Sequence, residues 1–453
     1  MTTEAPKLEK KLGAFHLWGI AVGLVISGEY FGWSYGWATA GTLGFLGATC
    51  LVAAMYTAFI FSFTELTCAI PHAGGPFAYA SRALGRTGGA ITGLATLVEF
   101  IFAPPAIALA IGAYMNVQFP SLPPKLAACG AYLLFMTLNI AGVHIAASFE
   151  LVITIAAIVE LLVFMAVVAP SFSWAHFTAM GWGHAPHFGW EAMGGLFAAI
   201  PFAIWFFLAI EGVAMAAEEA RNPRRSIPIA YLAGVLTLVA LAFGVMIFAG
   251  GSGDWTQLAN LNDPLPQAMK RVVGPHSPWL SMLVWLGLFG LVASLHGIIM
   301  GYARQIYALA RASILPAWLG TLHPRFHTPH RATLAGGVIG IVAIFADDIV
   351  SIHGQPLTAT LVTLSVFGAL TMYCASMISL FRLRRIAPEL ERSYRAPLYP
   401  FLPGFALVGA LICLSAVIYY NFVLFLYYVT FILLAYLFLA GIKKTATETV
   451  KER

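Results

Sequence analysis

Twelve apolar runs of about bilayer-crossing length dominate this chain and leave few folds open to it. A crossing helix takes about 20 mainly apolar residues. The runs fall at roughly 13–40, 43–69, 88–118, 126–142, 146–169, 191–216, 228–250, 279–303, 332–347, 356–381, 402–420 and 422–442. Pro, Gly and charge separate them, as in RNPRRSIP at 221–228 and RLRRIAPELERSYRAP at 382–397. Only 9% of the 453 residues are charged, against about 25% in an ordinary soluble domain. So few charges cannot coat a water-facing surface, which excludes a soluble enzyme, a disordered chain and a fibrous protein. The expected architecture is an all-α polytopic membrane protein with 12 transmembrane helices.

The basic residues orient it. Of 24 Lys and Arg, 21 fall in the terminal segments and in connectors on one side of the alternating topology. Only Lys125, Lys270 and Arg271 fall on the other. The positive-inside rule then predicts both termini cytoplasmic, with tails at 1–12 and 443–453. The net charge of +5 reads as this asymmetry and not as a nucleic-acid footprint. The amino-terminal segment reads as a retained tail, since the apolar run behind it exceeds a signal-peptide core. Cys50, Cys68, Cys129, Cys374 and Cys413 are scattered singly, so no disulfide, zinc or other metal site is expected.

Two runs carry interruptions. In the first, Ser27-Gly28-Glu29-Tyr30-Phe31-Gly32 places glycines and a carboxylate where a lipid-facing helix would carry Leu and Val. In the sixth, Glu211-Gly212 holds a corresponding interior place. Backbone unwinds at membrane depth only where it lines a cavity. Paired interruptions in the first and sixth of twelve helices suggest two inverted repeats around a midplane site. The other reading is that the glycines permit tight helix packing.

Three motifs carry a resemblance. FTELTCAIPHAGGPFAYASRALG (63–85) is similar to the signature of the amino acid–polyamine–organocation permeases. AAEEARNPRRSIP (216–228) and YARQIYALARASILP (302–316) resemble their post-sixth-helix and eighth-helix motifs, in the same order. The resemblance implies a LeuT-like 5+5 inverted repeat with broken helices 1 and 6. The repeats would cover 13–169 and 191–381, with two peripheral helices at 402–442. Within the family the chain most resembles bacterial ethanolamine permeases, implying a multi-pass protein of the bacterial inner membrane.

The same comparison singles out the site. Amino acid carriers of the family hold the substrate carboxylate on bare amides of a Gly-Ser-Gly-like run in helix 1. The aligned run here is Gly32-Trp33-Ser34, whose indole should crowd that carboxylate position. Acid is added nearby: Glu29, and Glu99 at a position that lines the cavity in related carriers. A lone carboxylate in an apolar helix is costly unless paired or protonated. Glu99 therefore reads as a counter-ion for a substrate ammonium, a protonated acid bonded to a carbonyl, or a proton carrier. Trp205, Phe206 and Phe207 supply aromatic faces that attract cations or simply pack; by resemblance Trp205 caps the substrate.

The expected substrate-binding set is Ser27, Gly28, Glu29, Tyr30, Gly32, Glu99, Trp205, Phe206 and Phe207. The expected gating and coupling set is Trp205, Glu211 and Glu160. Proton-coupled relatives often carry a Lys near Ala157, which is absent here. Ser294, His296 and Ser365 read as helix–helix contacts. Glu65, Glu218 and Glu219 read as partners of Arg82, Arg221 or Arg224.

The leading expectation is a secondary transporter importing a small cationic amine, ethanolamine, by alternating access with coupled protons in place of sodium. The rival is a carrier of neutral amino acids or polyamines. A channel or a membrane-embedded hydrolase fits less well, since HExxH, GxSxG and nucleotide-binding loops are missing. The expected partners are the amine, the proton and membrane lipid; no cofactor, catalytic residue or nucleic acid is expected.

Overall fold

A computed structural model describes residues 12–72, 74–142, 147–346 and 355–451. Among the described residues it is helical, with no strand beyond a single bridge between Leu12 and Ala220. Nine helices there are long and apolar enough to cross a membrane, from Trp33–Ala69 to Phe401–Tyr420. Ala14–Tyr30, His330–Ile344 and Phe422–Leu437 are shorter apolar helices. Their centres fall in the twelve apolar runs, in order.

Local chemistry sets the boundaries. Pro76, Pro124, Pro223 and Pro278 open helices, where their missing N–H costs nothing and their fixed φ suits the first turn. The Trp33–Ala69 helix is two helices joined at Gly41, whose φ is 69°. A side chain at Gly41 would strike the backbone of Gly181 and Gly183. Glycine alone tolerates both conditions, and the apolar pattern divides the first two runs at the same place.

The outward surface suits lipid. On the Ala147–Val168 helix, Val152, Ile155, Val159 and Leu162 are exposed, while Thr154, Ala157, Glu160 and Leu161 are buried. A face of exposed branched aliphatics is costly in water and neutral against hydrocarbon.

One end of the bundle is fastened by charge. The Glu65 carboxylate accepts from Arg384 Nε at 2.9 Å and Nη2 at 2.5 Å and from the Ala396 amide at 2.7 Å, and forms an ion pair with Arg392 Nε at 3.1 Å. The expectation of Arg82, Arg221 or Arg224 is corrected here: the tenth helix runs on to Ile386 and carries Arg384 onto Glu65. Glu219 likewise pairs with Arg304 at 3.5 Å. At the same end Leu12 donates to the Glu219 carbonyl and accepts from the Arg221 amide, tying the start of helix 1 to the end of helix 6. The expected tail residues Lys7, Lys10, Lys11 and Arg453 lie outside the described residues, as do the side chains of Glu218, Lys443, Lys444 and Lys451.

Candidate substrate site

The two interrupted helices meet at their breaks. Ser27–Tyr30 is still a helical turn. The unwound residues are Phe31, fully extended, and Gly32, with φ of 94°. The first break is therefore narrower than the Ser27–Gly32 interruption read from the sequence. Helix 6 runs as Ile200–Trp205, turns through 206–209 with Ala209 at φ 78°, and resumes as a 3-10 helix over Ile210–Glu219. A side chain at Gly28 would run into the Trp205 carbonyl, and one at Gly32 into the Trp205 indole. The glycines thus let Trp205 close on helix 1, with Phe31 edge-on at 5.4 Å.

Trp33 does not sit as an isolated wedge. Its indole N–H donates to the Glu29 carbonyl at 3.0 Å, and its ring lies 4.7 Å from Trp37. The indole satisfies a carbonyl left open by the break. Ser294 does similar work one turn earlier, donating to the Gly23 carbonyl at 2.7 Å and accepting from the Ser27 amide at 3.2 Å. His296 meets Asn139 at 3.0 Å, and Ser365 bonds back to its own helix at Leu361.

The midspan carboxyls form two clusters and one solitary group. Glu99 and Glu211 are buried and interact with each other, although no oxygen of either has a partner of ordinary hydrogen-bond geometry among the described residues. The hydroxyls of Tyr56 and Tyr373, bonded to one another, face this pair. Phe207 packs against Tyr56 at 5.2 Å, and Phe206 against Phe45 at 6.1 Å. Helix 10 approaches so closely that a side chain on Gly368 would meet the backbone at Ala95 and Glu99. Tyr231 holds the Glu211 carbonyl at 3.1 Å. Among the described residues no Lys or Arg stands beside this pair, and the buried Arg392 side chain is paired with Glu65.

The second cluster is separate. The Tyr30 hydroxyl donates to Glu160 and lies 3.3 Å from the Ala157 carbonyl, where proton-coupled relatives were expected to carry Lys. Tyr114 donates to the Tyr30 carbonyl at 3.1 Å and stands edge-on to its ring. Glu29 is fully buried with both oxygens unpartnered among the described residues.

The structure thus gathers Gly28, Gly32 and Trp205 at the joined breaks, and Glu99, Glu211 and Phe207 beside them. It sends Tyr30 to Glu160. Tyr56, Tyr373 and Tyr114 were missed in the sequence. The available signal was a phenol deep in an apolar run, which must find a hydrogen-bond partner when buried.

Beyond the breaks, at the opposite end from Arg384, lies a cavity of about 560 Å³ lined by Tyr35, Leu109, Lys125, Asn260, Asn262 and Thr358. The Asn260–Asn262 segment crosses it. Ser34 Oγ donates to the Leu261 carbonyl at 2.8 Å, the Asn260 amide to Ser34 at 3.3 Å, and Tyr35 to Asn262 at 2.5 Å.

Residues 12–442 match the amino acid permease family along nearly their whole length. The chain belongs to the amino acid permease family. Among relatives of this permease, an uncharacterized transporter of Rhizobium meliloti is 30% identical over 90% of this chain and 86% of its own. A branched-chain amino acid permease of Bacillus subtilis is 24% identical over 90% and 88%. A methylthioribose transporter of the same organism is 24% identical over 91% and 88%. The permease is therefore a multi-pass membrane transporter and not an enzyme.

Proposed function

We propose that this permease imports a small organic amine, ethanolamine, by alternating access through a LeuT-like 5+5 inverted repeat of twelve spans. Both termini would be cytoplasmic in a bacterial inner membrane, following the 21:3 division of basic residues. The observation that carries the reading is the Glu99–Glu211 pair at the helix 6 break: two buried carboxyls facing each other, with no oxygen in ordinary hydrogen-bond geometry among the described residues and no Lys or Arg beside them.

Two acids held together in a low-dielectric interior favour a cation between them, because fixed negative groups must replace its hydration shell. An ammonium at Glu99 and Glu211 leaves the ethanolamine hydroxyl to the Tyr56–Tyr373 pair, which both donates and accepts. Trp205 would cover the bound amine, with Phe206 and Phe207 as aromatic walls and Gly28 and Gly32 admitting the close approach. Trp33 bonded to Glu29 occupies one of the positions from which bare amides would hold a carboxylate. Glu160 and Glu29 remain to carry a coupled proton, and no sodium requirement is proposed.

A neutral amino acid is the second reading, favoured by the relative named for branched-chain amino acids. Uptake of labelled ethanolamine into proteoliposomes, competed separately by leucine, alanine and a polyamine, decides between them. Saturable uptake displaced by unlabelled ethanolamine and not by leucine supports the amine. Leucine uptake without an ethanolamine response overturns it.

A further inference from the structure

From Pro264 to Ala346 the chain carries no Asp or Glu, yet the connector between the eighth and ninth apolar runs holds Arg304, Arg311, Arg325 and Arg331. Arg304 is paired with Glu219. The other three are exposed, and none has a carboxylate partner among the described residues. Arg331 makes one long contact, its Nη1 donating to the Trp318 carbonyl at 3.5 Å. Arg325 lies 5.6 Å over the Phe326 ring, and Arg311 lies 5.7 Å over Tyr307. A guanidinium carries five donors in a planar fork, so most of this capacity faces outward and favours an anion.

The connector is held in one shape. His323 Nδ1 accepts from the amides of Arg325 and Phe326, both at 3.2 Å, and the His323 amide donates to the Thr328 carbonyl at 2.8 Å. Thr328 Oγ1 donates to the Ile140 carbonyl at 2.6 Å, which fastens the turn to the end of the Pro124–Ala141 helix. Phe326 stacks on His323 at 4.7 Å, and His323 stands edge-on to His330 at 5.1 Å. This ordered loop still leaves Trp318, Leu322 and Phe326 exposed beside the arginines. Exposed aromatic and aliphatic side chains next to cations are costly in bulk water and suit the headgroup level of a bilayer.

On the His330–Ile344 helix, Arg331, Leu334, Val338 and Val342 are all exposed. They recur at spacings of three, four and four, which aligns them on one side of the helix. Arg331 and Val342 are eleven positions apart, about 16 Å at about 1.5 Å per residue. The hydrocarbon of one leaflet is about 15 Å deep, half of the bilayer core. An acyl chain laid along the stripe therefore places its phosphate at Arg331. We propose that Arg325, Arg331 and this stripe bind an anionic phospholipid, the arginines taking the phosphodiester and Leu334, Val338 and Val342 one acyl chain. The paired donors of a guanidinium match two phosphate oxygens. A zwitterionic headgroup would bring an ammonium toward arginines with no acid beside them to receive it. Because hydrogen bonds already order the connector, binding costs little further ordering of its backbone.

The contact is independent of substrate and coupling, and the proposed cytoplasmic orientation serves only to assign it to the inner leaflet. The test is native mass spectrometry of the full-length protein in detergent, titrated with dioleoylphosphatidylglycerol or with dioleoylphosphatidylcholine. The first phosphatidylglycerol should bind wild type more tightly than the first phosphatidylcholine. Replacing both arginines, Arg325→Gln with Arg331→Gln, should weaken phosphatidylglycerol binding by about 25-fold, about fivefold for each, and leave phosphatidylcholine binding unchanged. Arg382→Gln with Arg385→Gln removes the same charge from exposed positions at the same end and should leave phosphatidylglycerol binding nearly unchanged. Both double variants alter exposed side chains only, and a monodisperse gel-filtration peak with normal phosphatidylcholine binding verifies their fold. Equal losses in the two double variants would mean diffuse attraction to the basic end and would overturn the site. Wild-type affinity after loss of Arg325 and Arg331, or no preference of wild type for the anionic lipid, would overturn it too. Glycerophosphoglycerol, the headgroup without chains, should not displace the lipid; displacement at the lipid's own concentration would refute the acyl contact.

Discussion

Replacing Gly32 by Ala tests the joined breaks at the single atom that should separate them. Gly32 has φ of 94°, and its missing side chain is what lets the Trp205 indole approach, with Nε1 2.6 Å from where a Cβ would sit. A residue with a side chain at positive φ costs about 1–2 kcal/mol. Forcing a methyl into a filled interior adds about 1–3 kcal/mol. The sum, about 2–5 kcal/mol, corresponds to a loss of between about 30-fold and about 3,000-fold in the population with both breaks assembled, at about 1.4 kcal/mol per tenfold. Affinity for labelled ethanolamine, measured by scintillation proximity on purified monodisperse protein, should fall within that range. Part of the loss is steric, so Gly32→Ala should cost less on a Trp205→Ala background, where only the backbone strain remains. Wild-type affinity in the single variant, or an equal cost in both backgrounds, would refute the contact between the breaks.

Further outcomes follow from other contacts. Glu65→Ala leaves Arg392 buried and Arg384 mostly so without their carboxylate; the detergent melting temperature should drop, by a cost near the low end of about 3–5 kcal/mol because Arg384 is partly exposed, and an unchanged melting curve would contradict it. Trp33→Phe keeps the ring and removes the donor to the Glu29 carbonyl; binding should weaken by about 1 kcal/mol, whereas unaltered binding would mean the carbonyl finds water. Tyr35→Phe removes the hydroxyl held by Asn262; amide hydrogen exchange over 260–262 should speed up relative to wild type, and identical exchange would show that Ser34 alone holds the segment.

The helices were legible because a span announces itself by length and apolarity, and their division at Gly41 because a chain reversal there needs glycine. Gly28, Gly32 and Trp205 were legible as neighbours of the two interruptions, and the structure brings them into contact there. Partnership was harder to read. Glu65 was assigned to nearby Arg residues, yet its partners lie more than three hundred positions away, since sequence distance says nothing about which helix end a connector reaches. Glu99, Glu160 and Glu211 were each found as an acid in an apolar run. Pairing Glu99 with Glu211 and Glu160 with Tyr30 depends on helix rotation, which a nearly uniform apolar pattern does not encode. The tyrosines escaped notice for the same reason: among so many aromatics, only a direction toward Glu211 distinguishes Tyr56 and Tyr373.

Equilibrium binding of labelled ethanolamine to wild type and to Glu99→Gln tests the central claim most directly. The substitution keeps size and hydrogen-bonding capacity and removes one charge from the pair that would hold the ammonium. Removing one partner of a buried charged contact costs about 2–5 kcal/mol. Affinity should therefore fall by roughly 30-fold or more, at about 1.4 kcal/mol per tenfold, with the protein still monodisperse and excess leucine failing to displace the label from wild type. Wild-type affinity in Glu99→Gln, or displacement of ethanolamine by leucine at lower concentration than by ethanolamine itself, would contradict an amine site at Glu99 and Glu211.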